Sequence, residues 1–306
     1  MPLWELVLTN TRMMGYKHFV PEIVKASYRR YRAWVLSRDL RPSASYFLSP
    51  EERSASAAVS VIIAVHDAPV VTARCISSLE KFGGDAEIVV VDDGSKLDAV
   101  RQMLDHACSR NHWKLIRHSK ATGHSRASEA GVLASERPYI CLLNSDTVIT
   151  PHSWAGLVGA FESSPRIAVA GPSTSHTFGP QQVTRACHCR HYWSDEQIWC
   201  FAAKYVARHR LEPIVDLEFV GGFAFFIRRT IWNELNGFDK SLPDYGNESE
   251  LCRRVVKIGL RIAWSKAAYI HHFGSESYGR TIGAAGIRRR SLGATDYINS
   301  RVEMNR

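Results

Sequence analysis

One run of residues sets the architecture of this chain: Tyr139-Ile140-Cys141-Leu142-Leu143-Asn144-Ser145-Asp146-Thr147. Its apolar first part leads directly into a polar cluster that contains one carboxylate, Asp146. A continuous apolar run of this length predicts a strand that is buried on both faces, as in a parallel sheet. Open α/β sheets bind their ligands at the carboxyl ends of such strands. Asp146 is therefore either a ligand-binding residue or a cap of the helix predicted to begin near Pro151.

Apolar runs and helix-like stretches alternate before this strand. The predicted strands cover 59–65, 86–91, 113–117 and 139–143, and the predicted helices cover 69–81, 97–109 and 123–136. Strands that alternate with helices of this length indicate βαβ units with right-handed crossovers. The sequence therefore predicts an α/β protein, a Rossmann-like three-layer α/β/α sandwich with a mostly parallel central sheet.

The second half of the chain has a looser pattern. Predicted helices cover 152–163, 195–210 and 248–258, and predicted strands cover 167–170, 219–227 and 261–272. Residues 171–192 lack periodicity and predict a long loop. Loops of that length in compact domains are usually functional.

The two ends of the chain are basic. Residues 1–56 carry nine Lys or Arg against five Asp or Glu, residues 280–306 carry six against two, and residues 57–279 carry 24 against 23. We expect a helical N-terminal extension and linker over 1–57, with a basic amphipathic helix at 21–40 and a linker at 42–58, and a basic tail over 280–306. Such ends suit an anionic membrane surface, although they are equally well explained as solvated segments or as a helix packed on the main domain.

Composition indicates an ordinary globular protein, with 306 residues of which 45% are hydrophobic and 23% are charged. The chain has no run of 18 apolar residues and no secretory signal pattern, so we expect a cytoplasmic protein whose ends contact the inner face of the plasma membrane. Four cysteines fall inside apolar patterns and are expected to be buried and reduced: Cys75, Cys108, Cys141 and Cys252. The middle of the chain is not basic, which argues against a nucleic-acid partner.

Polar residues follow the predicted strands in places where chemistry is expected. Asp92-Asp93-Gly94-Ser95 ends the second strand, and a carboxylate there can accept hydrogen bonds from a nucleoside, although Asp-Gly is also a common turn. No Gly-x-Gly-x-x-Gly follows the first strand, which argues against a dinucleotide site. Asp146 offers one carboxylate to Mg²⁺ or Mn²⁺, and a ligand from His271-His272 would favour Mn²⁺.

Three further features have both a functional and a structural interpretation. Glu248 and Glu250 begin a predicted helix, where they complement the helix dipole or supply a general base. Gly221-Gly222 interrupts a predicted strand, which indicates a close approach to the backbone. Cys187-His188-Cys189 could contribute to a zinc site, but no second ligand pair stands at a typical distance.

Eight of these runs occur in a characteristic order. They are Val-Ser-Val-Ile-Ile-Ala-Val-His at 59–66, Ile-Val-Val-Val-Asp-Asp-Gly-Ser at 88–95, Gly-His-Ser-Arg-Ala-Ser-Glu-Ala-Gly at 123–131, Leu-Leu-Asn-Ser-Asp-Thr at 142–147, Val-Gly-Gly-Phe-Ala-Phe-Phe-Ile-Arg-Arg at 220–229, Gly-Phe-Asp at 237–239, Tyr-Gly-Asn-Glu-Ser-Glu-Leu-Cys at 245–252 and His-His-Phe-Gly-Ser-Glu-Ser-Tyr-Gly at 271–279. Each run is a weak signal, but their joint order resembles the inverting family 2 glycosyltransferases of the GT-A fold, most closely the bacterial enzymes of surface-polysaccharide synthesis. The resemblance implies a GT-A domain over 58–279, with a nucleotide-binding half at 58–147 and an acceptor-binding half at 148–279.

The resemblance also implies which residues contact the nucleotide sugar. Asp92 matches the acid that contacts the base, and Val65 and His66 lie near the same nucleoside. Ser125 and Arg126 match a third segment that contacts the nucleotide.

The same resemblance implies a metal site. Asn144, Ser145 and Asp146 match the Asp-x-Asp motif, with Asn144 in place of the first acid and Asp146 as the metal ligand. His272 matches the histidine that completes the site, and His271 is the alternative if the register differs by one residue.

For the transfer step, the resemblance implies a glutamate base. Glu248 matches the catalytic base and Glu250 the acid two places further on. Asn247 stands where an acid is frequent, which leaves the choice between the two glutamates open. Gly221 and Gly222 match a segment beside the donor sugar and the acceptor.

The implied function is transfer of a hexosyl or deoxyhexosyl group, dependent on Mn²⁺ or Mg²⁺. The donor would be a UDP- or dTDP-type nucleotide sugar, and the acceptor a hydroxyl of a glycan, lipid-linked or protein-linked molecule in cell-envelope polysaccharide biosynthesis. One alternative is a nucleotidyltransferase, although residues 64–71 lack the glycine and basic residues that such enzymes need after the first strand. The other is a non-catalytic scaffold that binds a nucleotide sugar.

Overall fold

The computed structural model describes residues 46–177, 179–184, 193–242 and 246–274, together with the single positions Ser27 and Leu40. The predicted basic helix, apart from those two positions, the C-terminal tail and the Cys187-His188-Cys189 group lie outside these ranges. Their predicted roles therefore stay predictions. Within the described ranges, every helix falls short of the length and apolar character that crossing a bilayer requires.

Helices and strands alternate through the first half of the described chain. The helices are α1 (Pro50–Ser56), α2 (Pro69–Phe82), α3 (Asp98–Asn111), α4 (His124–Leu133), α5 (Ala155–Ser163), α6 (Asp195–His209), α7 (Arg229–Glu234) and α8 (Asn247–Lys257). The strands are β1 (Val59–Val65), β2 (Glu87–Asp92), β3 (Lys114–Arg117), β4 (Tyr139–Asn144), β5 (Thr147–Val148), β6 (Ile167–Ser173), β7 (Val215–Leu217), β8 (Ala224–Arg228), β9 (Arg261–Tyr269) and β10 (His271–His272).

A central sheet has the strand order β3-β2-β1-β4-β8-β6-β9-β7. Its first four strands are parallel, as the βαβ alternation predicts. β8 runs antiparallel to both β4 and β6, β9 is parallel to β6, and β7 is antiparallel to β9. The predicted α/β fold with a mostly parallel sheet is confirmed.

The buried strands contribute side chains to two separate apolar layers. Val61, Ile63 and Cys141 pack in one layer, whereas Ile62 and Leu142 pack in the other. Successive strand residues point to opposite faces, so both faces of the sheet are covered by helices. Each of the four cysteines named above is buried and has a free thiol, as predicted.

Two predicted boundaries were wrong. The predicted linker contains helix α1, because Ser49 caps the helix by accepting from the backbone N–H of Glu52 at 3.1 Å and Pro50 stands at the first helical position. The predicted strand over 219–227 begins only at Ala224, because the Gly221 N–H donates to the side chain of Gln181 rather than to a neighbouring strand.

The other irregular stretches are also divided differently. The predicted strand over 261–272 is two strands, β9 and β10, and β10 leaves the central sheet to pair with β5. In the predicted loop over 171–192, β6 extends to Ser173 and Thr174 forms a bridge with Gln182. Long-range pairing partners decide both outcomes, and local patterns do not contain them.

Glu52 ties helix α1 to the main domain. Its carboxylate accepts from the backbone N–H groups of Trp154, at 2.7 Å, and Ala155, at 3.0 Å, at the start of α5. Burial raises the pKa of Glu52 to about 7, although the same backbone hydrogen bonds act to lower it. The former linker thus holds a buried acid at a helix N-terminus.

Glu52→Gln should remove a pH dependence of stability that the wild-type chain has. Because the pKa of Glu52 is raised from 4.5 to about 7, the native state binds an extra proton as the pH falls through this window. As the pH falls from about 7 to 4.5, the free energy of unfolding of the wild type should therefore rise relative to that of the variant, by up to about 1.4 kcal/mol per pH unit.

Urea denaturation at about pH 5 and about pH 7 measures this difference. Glu51→Gln is the control, because Glu51 lies in the same helical turn but is exposed. A stability difference between the wild type and Glu52→Gln that is the same at both pH values would contradict the prediction.

Candidate active site

Parallel strands bring the predicted nucleotide-binding residues to one edge of the sheet. β1 pairs with β2 through Val65 and Asp92, and with β4 through Ala64 and Asn144. His66 follows β1, and its Nδ1 lies 2.9 Å from the backbone oxygen of Asp93. The carboxyl ends of these three strands therefore meet in the crevice where open α/β sheets bind ligands.

A short ribbon brings Asp146 and His272 together. β5 and β10 pair antiparallel with His272 opposite Thr147, and the N–H of Phe273 donates to the Asp146 carbonyl at 2.9 Å. As a result, Nε2 of His272 lies 3.3 Å from Oδ1 of Asp146. Both side chains are buried, so the predicted pair of metal ligands is adjacent.

The hydrogen bonding of His272 fits a metal ligand. Its Nδ1 lies 2.7 Å from the carbonyl oxygen of His176, which can only accept, so the proton is on Nδ1. The other ring nitrogen, Nε2, is directed toward the Asp146 carboxylate, and this buried nitrogen has no hydrogen-bond partner in the described part of the chain. Ligating histidines characteristically donate their other N–H to such a carbonyl.

The protein supplies few ligands beyond this pair. No group of three or more His, Cys, Asp or Glu residues with metal-binding geometry occurs among the described residues. Mg²⁺ and Mn²⁺ are commonly held by one or two side chains, with phosphate oxygens and water in the remaining positions. A nucleoside diphosphate in the adjacent crevice would provide such oxygens.

His271 belongs to the core instead. It is fully buried, its Nδ1 lies 3.1 Å from the hydroxyl of Tyr269, and its ring packs against those of Trp193 and Phe273. In the observed register His271 stands opposite Val148. His272 is therefore the histidine beside Asp146.

Glu248 lies directly over Gly222. A Cβ atom added to Gly222 would stand 2.4 Å from Oε1 of Glu248. The predicted close approach to the Gly221-Gly222 backbone is thus made by the side chain of Glu248, at the first turn of α8. Gly221 is equally restricted, because a Cβ there would stand 2.3 Å from Oγ1 of Thr177.

Phe223 connects Glu248 with the Asp146–His272 pair. Its ring stacks on that of His272 with centroids 5.3 Å apart and an interplanar angle of 18°. Its carbonyl accepts from the N–H of Asn144 at 3.0 Å. Glu248 therefore contacts Gly222, and His272 contacts the next residue, Phe223.

Glu250 has a different environment from Glu248. Both of its oxygens accept from Nε of Arg254 at 2.9 Å, and Oε2 also accepts from Nη2 at 2.6 Å. The same guanidinium donates to the carbonyls of Leu235 and Gly237. The guanidinium of Arg254 thus balances the charge of Glu250, and the same network attaches α8 to the preceding loop.

The two acids after β2 each hold a loop. Asp92 accepts from the N–H of Ser95 at 2.9 Å and lies 3.2 Å from Nε of Arg117. Asp93 accepts from Thr122 and Gly123 and contacts His118.

Both carboxylates are buried, where a charged group is unfavourable unless hydrogen bonds compensate for the lost solvent. Burial alone would raise the pKa of Asp93, but the hydrogen bonds from His118, Thr122 and Gly123 outweigh it and hold the pKa below its usual value. The Asp93 network was missed in the sequence, where only the Asp-Asp doublet signals it.

Ser125 joins the starts of two helices. Its hydroxyl donates to the carbonyl of Leu242 and accepts from Nδ2 of Asn247, both at 2.6 Å. An acid at position 247 would lack the amide donor, which explains why asparagine suits this chain. Arg126 is exposed on α4, whereas the neighbouring His124, also missed in the sequence, lies with Nε2 3.9 Å from Oε1 of Glu248.

Comparison with known proteins places this chain in a family. The model of the family "Glycosyl transferase family 2" matches residues 60–234. The fold is that of the GT-A glycosyltransferases. This chain belongs to glycosyl transferase family 2.

Similar proteins have different names and lengths. The chain is 24% identical over 227 residues to the pre-mycofactocin glycosyltransferase of Mycobacterium tuberculosis, which covers 70% of this chain and 42% of that protein. It is 24% identical over 206 residues to the inactive polypeptide N-acetylgalactosaminyltransferase-like protein 5 of Macaca fascicularis. That match covers 64% of this chain and 46% of that protein. The chain thus spans less than half the length of these curated relatives.

A solved structure of GalNAc-T7 with UDP, GalNAc and Mn²⁺ has a similar fold. The TM-score is 0.53 with 16% sequence identity, over 70% of this chain and 43% of that chain. At this identity the likeness supports the fold alone.

Asp146→Asn and His272→Ala should each weaken Mn²⁺ binding in the presence of UDP by at least about tenfold, because each change removes one of two adjacent candidate ligands. Titration followed by the electron paramagnetic resonance of free Mn²⁺ measures the affinity. Asp98→Asn, a change of an exposed carboxylate in α3, is the control. Wild-type affinity in both site variants would contradict the metal assignment.

Proposed function

We propose that this chain is a metal-dependent inverting glycosyltransferase. It transfers a hexosyl or deoxyhexosyl group from a UDP- or dTDP-type nucleotide sugar to a hydroxyl of a glycan, lipid-linked or protein-linked acceptor. Membership of glycosyl transferase family 2 supports the reaction class, and the adjacent side chains of Asp146 and His272 support a divalent cation. The donor class is proposed by analogy with the GalNAc-T7 structure, which was solved with UDP and Mn²⁺. A role in cell-envelope polysaccharide synthesis, with the basic ends on a membrane surface, belongs to the same proposal.

One observation carries this proposal. The Asp146–His272 pair and the carboxylate of Glu248 lie against consecutive residues, Phe223 and Gly222. These contacts support a cation held by Asp146 and His272 close to a proton acceptor, Glu248, at the carboxyl edge of the parallel strands. Inverting transfer requires these two groups on either side of the reacting carbon.

The residues of the chain then have separate tasks. Asp146 and His272 would hold Mn²⁺ or Mg²⁺, which when bound neutralises the charge that develops on the departing diphosphate. Glu248 takes the proton of the acceptor hydroxyl as that oxygen attacks the anomeric carbon. The bond from the anomeric carbon to the phosphate oxygen breaks, and its electron pair stays on the oxygen of the departing diphosphate. Because the acceptor attacks from the opposite face, the configuration is inverted.

The nucleotidyltransferase alternative has less support. The turn after β1 contains Asp67, whose carboxylate accepts from the N–H groups of Lys96, at 2.9 Å, and Leu97, at 3.0 Å. A phosphate-cradling loop at this position would need donors directed at the ligand, not an acid. The scaffold alternative is favoured by the relative named inactive, and opposed by the presence of Asp146, His272 and Glu248 together.

A donor panel tests the proposal. Release of nucleoside diphosphate from UDP-, dTDP- and GDP-sugars should occur for at least one donor, and chelation of divalent cations should abolish it. Release of pyrophosphate from a nucleoside triphosphate and a sugar phosphate would instead indicate a nucleotidyltransferase. Donor binding without any release, with and without an acceptor mixture, would indicate a scaffold.

Glu248→Gln should bind the donor like the wild type and lower turnover by about 10²-fold or more, because the amide cannot accept the hydroxyl proton. Glu250→Gln is the matched control, and it should chiefly lower stability by about 1–3 kcal/mol through the loss of the Arg254 pair. Single-turnover kinetics and urea denaturation separate the two effects. An inactive Glu250→Gln variant together with an active Glu248→Gln variant would indicate that Glu250, not Glu248, is the base.

A further inference from the structure

One of the buried polar groups that lack a hydrogen-bond partner in the described ranges lies beside Glu248. His124 is the first residue of α4, and its side chain is only 13% exposed. Its Nε2 has no hydrogen-bond partner in the described part of the chain. Leaving such a group unpaired is unfavourable, so its retention requires an explanation.

The group nearest in charge and chemistry is Glu248. Nε2 of His124 lies 3.9 Å from Oε1 of Glu248, about 0.7 Å beyond the ~3.2 Å upper limit of an N–H···O hydrogen bond. Oε1 is also the oxygen that crowds the Cβ position of Gly222. Oε1 therefore lies between Gly222 and His124, which leaves Oε2 as the oxygen available to an acceptor hydroxyl.

The backbone around both residues is held firmly. Asp93 accepts from the N–H groups of Thr122 and Gly123, immediately before His124. The hydrogen bond from Asn247 to Ser125 joins the residue before Glu248 to the residue after His124. These bonds join the starts of the two helices, so closing the remaining gap requires a rotation of the His124 or the Glu248 side chain.

We propose that His124 is a positioning residue for Glu248. Its Nε2–H donates to Oε1 when donor and acceptor are bound, since catalytic hydrogen bonds are often long before the substrates arrive. This bond fixes the carboxylate plane so that Oε2 receives the proton of the acceptor hydroxyl, while the proton of His124 stays on its nitrogen. The inference rests on the proposed function.

Two substitutions separate hydrogen bonding from packing. His124→Phe keeps a ring in the same space but removes the donor, and His124→Gln keeps an N–H near the position of Nε2. The reaction followed is hydrolysis of the most active sugar nucleotide from the panel, with Mn²⁺ present. In this reaction water is the acceptor, and Glu248 takes its proton. We expect His124→Phe to lower kcat by about 10- to 100-fold with little change in KM, and His124→Gln to remain within about threefold of the wild type.

A double-mutant cycle tests whether His124 acts through Glu248. In a Glu248→Gln background, His124→Phe should cause no further loss, because the carboxylate it orients is absent. A further loss equal to that in the wild-type background would overturn the proposal. So would a weakened affinity for UDP and Mn²⁺ in His124→Phe, measured by tryptophan fluorescence, because it would place His124 on the donor.

The remaining outcomes are equally distinct. If the wild type releases no nucleoside diphosphate from any donor, the proposed function fails, whereas an active wild type with wild-type kcat in His124→Phe overturns the role of His124 alone. Thermal unfolding checks that the variants fold. If His124→Phe does not fold, His124→Leu, which is smaller and also lacks a donor, is measured in its place with the same expected result.

Discussion

The antiparallel pairing of β8 with β4 is the constraint on which the site depends. It sets Leu143 opposite Ala224 and joins the N–H of Asn144 to the carbonyl of Phe223. The residues just before β8 are thereby held beside the polar end of β4. Because these residues include two glycines, the backbone leaves room for the side chain of Glu248. A strand from the second half of the chain thus completes a crevice begun by the first.

Three of the acids around this crevice hold loops or helix starts. Asp92, Asp93 and Glu250 are occupied by Arg117, by the loop before α4 and by Arg254 respectively. These pairs hold the loops and helix starts that surround the site. Asp146 and Glu248 lie beside His272 and His124, and the buried Nε2 atom of each histidine lacks a hydrogen-bond partner in the described ranges. For Asp146 and His272, a buried carboxylate beside an imidazole nitrogen is an arrangement suited to a cation, whereas Nε2 of His124 is proposed to carry a proton directed at Glu248.

Local sequence patterns predicted the first half of the fold better than the second. The strands of the βαβ units bury both faces and give continuous apolar runs, so β1, β2 and β4 could be located closely. Helix α1 was missed because the Ser- and Ala-rich composition around it predicts a linker, although Ser49 and Pro50 are local signals for a helix start. The start of β8 was missed because Gln181, a distant residue, takes the N–H of Gly221.

The sequence by itself determined the sheet class, the strand end that carries Asp146 and the family resemblance, because periodicity and motif order are local properties. Only the tertiary structure decided between neighbouring residues of the same type. His272 rather than His271 faces Asp146 because of the β5–β10 register, and Glu248 rather than Glu250 lies over Gly222 because of the direction in which α8 begins beside the segment before β8. A register or a direction is a relation between distant segments, which no single stretch of sequence contains.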